Sequence, residues 1–302
     1  MAALFPLALM AMLVARGPVP HVRLDAARLD SLRQASATAR AAERADLATG
    51  PTSYLAAVQR VDFGVRSRLV VGSAADCDVR VDDPGMPPHA LAVTVAADSF
   101  TVTALDTASF TWRHLAYREA HLGPAGIEFG RWSLRLSHQR YPAVIVFDPR
   151  SPRYSLDHGR EYWPYDPAYR FRAPLRQEAH PDTVIILSTR GNERRALRVG
   201  WFDLEIAGRR CRLEANRLLE PGVDESAVNV FFRDATTGHE SYPVGRYVDP
   251  EPAGDGYWIV DFNEAYNPAC AFSPFYNCPL PPRANTLPVP VRAGEKDSHY
   301  AH

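Results

Sequence analysis

The chain has 302 residues, 46% of them hydrophobic and 23% charged, with a formal net charge of −1. That is the composition of a globular protein long enough for one large domain or two small ones. The near-zero charge excludes a nucleic-acid footprint and a polybasic membrane patch, and the 26 prolines argue for turns and irregular segments over long helices.

From Met1 to Ala15 the sequence is an apolar run, followed by Arg16, Gly17 and Pro18. The run matches the apolar core of a secretory signal and falls short of the roughly 20 residues that span a bilayer. Residues 1–17 are therefore expected to be a signal peptide. This predicts a secreted or periplasmic protein, mature from near Arg16–His21, with no membrane span after cleavage. The first cysteine beyond the run, Cys77, is too far downstream to carry a lipid anchor. Residues 22–50 read as a helical lead-in. Leu24, Leu29, Leu32, Ala35, Ala39 and Ala42 approximate one stripe, and Gly50-Pro51 stops the helix. A stripe so rich in alanine predicts loose packing, on the first β module.

Over residues 54–140 the pattern changes to short strands: Arg68–Gly72, Asp78–Asp82, Leu91–Val95, Phe100–Leu105, Gly126–Gly130 and Trp132–Leu136. Evenly spaced short strands with Gly and Pro turns predict a small β-sandwich. A second β domain, 141–296, opens with Val144–Phe147. It continues through Phe171–Pro174, Thr183–Leu187, Trp201–Ile206, a hairpin turn at Ala207-Gly208, Arg210–Glu214, Val228–Phe232 and Tyr257–Phe262. The fold class is mainly β: a small sandwich, then an antiparallel sandwich or barrel, with one N-terminal helix. Beyond Asn263 no period is legible. Tyr266, Phe272, Phe275 and Tyr276 predict an irregular C-terminal wrap packed on the second domain. Residues 297–302, with His299 and His302, are expected to be a disordered tail.

No Gly-x-Ser-x-Gly, His-Glu-x-x-His, Cys-x-x-Cys or phosphate-loop pattern occurs, and Asp157-His158 reads as a solvated turn pair. No cofactor and no metal site are expected. Cys270 and Cys278 flank a short aromatic loop and, in an oxidising compartment, predict a disulfide. Cys77 and Cys211 read as buried thiols. The candidate ligand-binding residues are Arg233, Asp234, Tyr242, Arg246, Asp261, Asn263, Asn267 and Glu295, polar groups set among strand and aromatic residues. Buried charges need partners, so two readings stand. One is an internal network that pins the wrap; the other is a polar pocket. The expected function is non-catalytic binding of an unknown small molecule or protein, with no nucleic-acid partner. The alternative is a hydrolase using an Asp or Glu as general acid or base and Arg as anion stabiliser.

Two family resemblances accompany this reading. Leu69–Val81, with Gly72, Ser73 and Asp78, followed by Met86-Pro-Pro-His89, resembles the opening of a forkhead-associated (FHA) domain. That resemblance implies a β-sandwich. Ser73 and Met86 stand where the family's phosphothreonine-gripping Arg and Ser belong, so it also implies no phosphopeptide binding; His89 alone stays in register. The second half is similar to the bacterial and archaeal family called domain of unknown function 1684. The similarity is carried by Asp148–Pro152, Tyr162–Arg170, Phe232–Gly238, Gly245–Tyr247, Asp261–Phe272, Cys278–Pro282, Asn285–Leu287 and Ala293–Lys296. Ile145 and Phe147 replace residues that tend to be basic in that pattern. The resemblance implies no activity, substrate or cofactor.

Overall fold

The structure, a computed structural model, describes residues 24–105 and 109–300. The expected signal peptide lies outside them. One α-helix opens the described chain, α1 (Ala26–Thr49), capped by the Asp25 carboxylate, which accepts from the Arg28 N–H. Among its residues only Ser36 and Leu47 are buried. It does not sit on the first β module as its sequence suggested, because the alanine stripe stays exposed and the polar face makes the contacts. Arg40 donates to the carbonyls of Trp163 (3.0 Å) and Asn263 (2.8 Å), and Arg44 donates to that of Arg160 (2.9 Å). Both guanidinium groups lie over the Tyr162 ring. All four of these partners belong to the second β unit.

Eleven strands follow: β1 (Ala57–Asp62), β2 (Arg68–Gly72), β3 (Val79–Arg80), β4 (Leu91–Ala96), β5 (Ser99–Ala104), β6 (Phe110–Trp112), β7 (Leu115–Tyr117), β8 (Glu119–Leu122), β9 (Ala125–Phe129), β10 (Trp132–His138) and β11 (Pro142–Phe147). They form two sheets, ordered β1-β11-β10-β9-β6-β7 and β3-β2-β4-β5-β8. Alternating residues supply the shared core: Leu69 and Val71, Phe100 and Val102, Leu134 and Leu136, Val144 and Val146 are all buried. The sequence placed Val144–Phe147 in the second domain. It pairs instead with both β1 and β10, because a strand apolar on both faces is suited to a central position.

The second unit contains β12 (Arg170–Pro174), β13 (Thr183–Leu187), β14 (Glu193–Ile206), β15 (Arg209–Leu218), β16 (Val230–Phe232), β17 (Arg246–Val248), β18 (Glu251–Pro252) and β19 (Tyr257–Asp261). These make antiparallel sheets β12-β19-β18, β13-β14-β15 and β16-β17, and they do not close into a barrel. Ala207 (φ 50°) and Gly208 (φ 72°) supply the left-handed pair that a tight β14–β15 hairpin requires.

The wrap completes this core. Leu287, Val289, Val291 and Ala293 are all buried beside Phe202, Phe232 and Phe262. Their alternation is that of a strand, but Pro288 and Pro290 have no N–H to offer a ladder. Gly294 (φ 78°) lets the chain turn where an added Cβ would meet the Ala265 and Phe262 carbonyls at 2.5 and 2.7 Å. The last segment is packed through residue 300, contrary to the disordered tail expected. Tyr300 is 7% exposed, stacks on His158, and its hydroxyl donates to Asp157. The Asp157-His158 pair is thus a seat for Tyr300, not a solvated turn.

Candidate functional site

The candidate polar residues fall into clusters, and most lie under the wrap. Arg246 is fully buried. It donates to the carbonyls of Val291 (2.7 Å), Ala293 (2.5 Å) and Glu295 (3.2 Å), and to Asp234 at 3.4 Å. The Asp234 carboxylate also accepts from the Thr236 and Thr237 hydroxyls and from the Val291 N–H. This pair does what a neighbouring strand would do for a segment whose prolines forbid one. Burial pulls the Arg246 pKa down, and the carboxylates of Asp234 and Glu295 oppose that shift.

Glu295, with no exposed surface, is held by Arg160 in a two-pronged pair at 2.7 and 2.8 Å, and accepts from the Asn267 N–H at 2.8 Å. Burial works against the Arg160 charge, but Glu295 more than offsets it and raises its pKa. The Asn267 side chain donates to the Lys296 carbonyl. Asp261 accepts from Tyr165, Arg170 and both nitrogens of Asn263; the Asn263 amide in turn pairs with the backbone of Asp166. Arg233 donates through Nε to the Val244 carbonyl, while its own backbone bridges to Asn285 and Leu287. These carboxylates are therefore bound on several sides by the protein itself.

Tyr242 stands apart. Its hydroxyl donates to the Cys270 carbonyl at 3.0 Å, and both residues line a cavity of about 640 Å³ with Thr189, Arg190 and Tyr276. The expected Cys270–Cys278 disulfide is not formed. Both are free, buried thiols, and the Cys270 N–H donates to the Cys278 sulfur at 3.3 Å. The sulfurs meet by hydrogen bonding, which lowers the Cys270 pKa and raises that of Cys278. Cys77 and Cys211 are also free and buried.

A second cleft, about 570 Å³, opens elsewhere, between β9–β10 and the Glu220–Val223 segment of the second unit. Its walls carry Ser133, Arg135, Ser137, Gln139, Arg194 and Glu220. An adjoining cavity of about 300 Å³ shares Arg135, Ser137, Gln139 and Arg194, and adds Tyr54, Arg60 and Tyr276. Arg194 and Glu220 are buried and paired at 2.5 and 2.6 Å, and Arg60 pairs with Asp62. Arg135 is exposed, lies against the Tyr276 hydroxyl, and has no carboxylate partner among the described residues. None of the candidate residues lines the cleft between the two units. Arg135 was legible only as an outward position in the alternation of Trp132, Leu134 and Leu136. Arg160 and Arg194 carried no signal, because their acidic partners are far away in sequence.

An open antiparallel β unit sealed by a hydrogen-bonded wrap is thus the class of domain in the second half. The family described as protein of unknown function (DUF1684) matches residues 158–296, a span that holds Arg160, Asp234, Arg246, Asp261 and Glu295. An uncharacterized protein of Haloarcula marismortui, with a structure solved by solution NMR, is 36% identical over 51% of this chain and 85% of its own, at a TM-score of 0.41. No curated protein matches. The match to the DUF1684 family is confined to the second half of the chain.

Proposed function

We propose that this protein is a non-catalytic binding protein, and that it takes a small anionic ligand in the cleft between its two β units. The observation that carries this reading is the division of charge. The Asp234, Asp261 and Glu295 carboxylates are each engaged by internal partners, Arg246 among them, which leaves no free acid–base pair within this group for hydrolysis. Arg135 sits in a cleft of ligand size with hydroxyl and amide donors beside it and no carboxylate against it. Native mass spectrometry of the purified full chain tests this. A retained small molecule that disappears in Arg135→Ala, with unchanged circular dichroism, is expected. A ligand that survives Arg135→Ala but is lost in Tyr242→Ala would move the site to the other cavity.

The FHA-like resemblance of the first unit enters the same proposal as a scaffold without a phosphopeptide grip. The Ser73 hydroxyl donates to the Met86 carbonyl at 2.9 Å, so the two replaced positions face each other. A phosphothreonine peptide array is expected to show no phosphate-dependent binding. Export through the N-terminal apolar run is likewise proposed. N-terminal sequencing of extracellular or periplasmic protein is expected to start near Arg16–His21, and an intact Met1 on such material would refute it.

A further inference from the structure

We propose that Asp76, Cys77 and His89, on one edge of the first sandwich, form a binding site for a borderline divalent cation of the zinc class. The placement begins with the backbone. β2 pairs in parallel with β3, so the chain between them must make a compact loop. That loop is zipped to the Met86–His89 segment by Ser73 N–H to Pro87 O (2.9 Å) and Ala74 N–H to Pro88 O (3.1 Å). The close approach occurs at Gly72, where an added Cβ would stand 2.1 Å from the Pro88 oxygen and 2.9 Å from the Cys77 sulfur. Glycine at that position is what lets the thiol tuck against the facing segment. Cys77 is buried, donates to the Pro88 carbonyl at 3.1 Å, and is thereby turned toward His89.

The three ligand atoms, one sulfur, one imidazole nitrogen and one carboxylate oxygen, all lie within 4.8 Å of one another. Metal–ligand bonds of 2.0–2.3 Å place tetrahedral ligand atoms about 3.4 Å apart, so only a small contraction is needed. The two groups that must move are the mobile ones by exposure, Asp76 at 75% and His89 at 44%. Their present contact, a hydrogen bond of 2.9 Å, is an exposed pair that contributes little. Binding exchanges it for two coordinate bonds and expels the Cys77 thiol proton to solvent.

The donor set selects the cation. Thiolate with imidazole disfavours magnesium and calcium, whereas one sulfur, one nitrogen and one oxygen suit zinc or cobalt(II). Thiolate and carboxylate together neutralise a dication. The exposure of Asp76 and His89 leaves the fourth position to water or to an anionic group.

The test is a cobalt(II) titration of the full chain after chelator treatment. One equivalent should bind with a thiolate-to-cobalt charge-transfer absorption and tetrahedral visible bands, and zinc should displace it. Cys77→Ser should abolish the charge-transfer absorption. His89→Ala and Asp76→Asn, at exposed positions that leave circular dichroism unchanged, should each weaken binding at least about tenfold. Absence of the absorption overturns the proposal. So does an absorption that survives Cys77→Ser and vanishes in Cys270→Ser, which would put the metal at the other thiol pair.

Discussion

Arg131 shows how much one side chain can tie together. It donates to Asp83 at 3.0 and 2.5 Å and to Asp148 at 3.2 and 3.1 Å, joining the loop after β3 to the end of β11. The Arg131 hydrogen bonds and the Gly85 N–H pull the Asp83 pKa from 3.8 to about 2. Burial opposes the charge of Asp148, and Arg131 outweighs it, so that pKa falls as well. A carboxyl depressed in the folded state stabilises above its unfolded pKa and loses that contribution as pH falls through the folded value. Stability should therefore drop between pH 3.8 and about 2. Arg131→Met should be less stable at neutral pH and should lose less over that interval. Urea unfolding at several pH values checks this, and parallel curves for the two proteins would refute it. At this scale the sequence showed which residues were costly to bury, but not what they met. Asp234, Arg246, Asp261 and Glu295 stood out as charges among aromatics, whereas Arg160 lies 135 positions from its partner Glu295. Pairing over such a separation is a product of topology and leaves no local pattern.

The wrap is the element on which those charges act. Its inward alternation, Leu287, Val289, Val291 and Ala293, was present in the sequence, but the prolines between hid it, since they rule out the usual strand partner. The hairpin at Ala207-Gly208 was legible because turn chemistry is local, and β11 was assigned to the wrong unit because an apolar run does not announce its neighbours. Glu295 fastens the end of the wrap to Arg160 and to the Asn267 backbone. Glu295→Gln leaves the Arg160 guanidinium buried without its counter-charge. Breaking a buried pair in this way costs about 3–5 kcal/mol. The Glu43 carboxylate, 3.3 Å from Arg160, offsets part of that cost, so the lower end is expected. Equilibrium urea unfolding measures it, and a loss below about 1 kcal/mol, the range of exposed pairs, would contradict the buried-clasp assignment.

At the scale of the whole molecule, α1 is the odd element: first in the described chain, ahead of the first sandwich, yet fastened to the second unit. Only Leu47 among its apolar residues joins a buried cluster, with Leu55, Ala271, Phe272 and Tyr300. The rest of its attachment is polar, through Arg40, Arg44 and the Glu43 carboxylate, which accepts from Tyr162 at 2.6 Å. Apolar burial scales with area, so a helix with so little of it belongs to the low-stability end of the fold. Hydrogen exchange should find the α1 amides opening by local detachment, at a free energy well below that of β10 and β11 in the first sandwich. Arg40 makes two charged hydrogen bonds to carbonyls, each worth about 1.5–3 kcal/mol at most, and partial exposure reduces this. Arg40→Ala should therefore lower the α1 opening free energy by about 1–3 kcal/mol while leaving protection in β10 and β11 unchanged. If α1 exchanged only with global unfolding, the helix would be an integral part of the second core, and the polar latch would be the wrong account of how α1 is held.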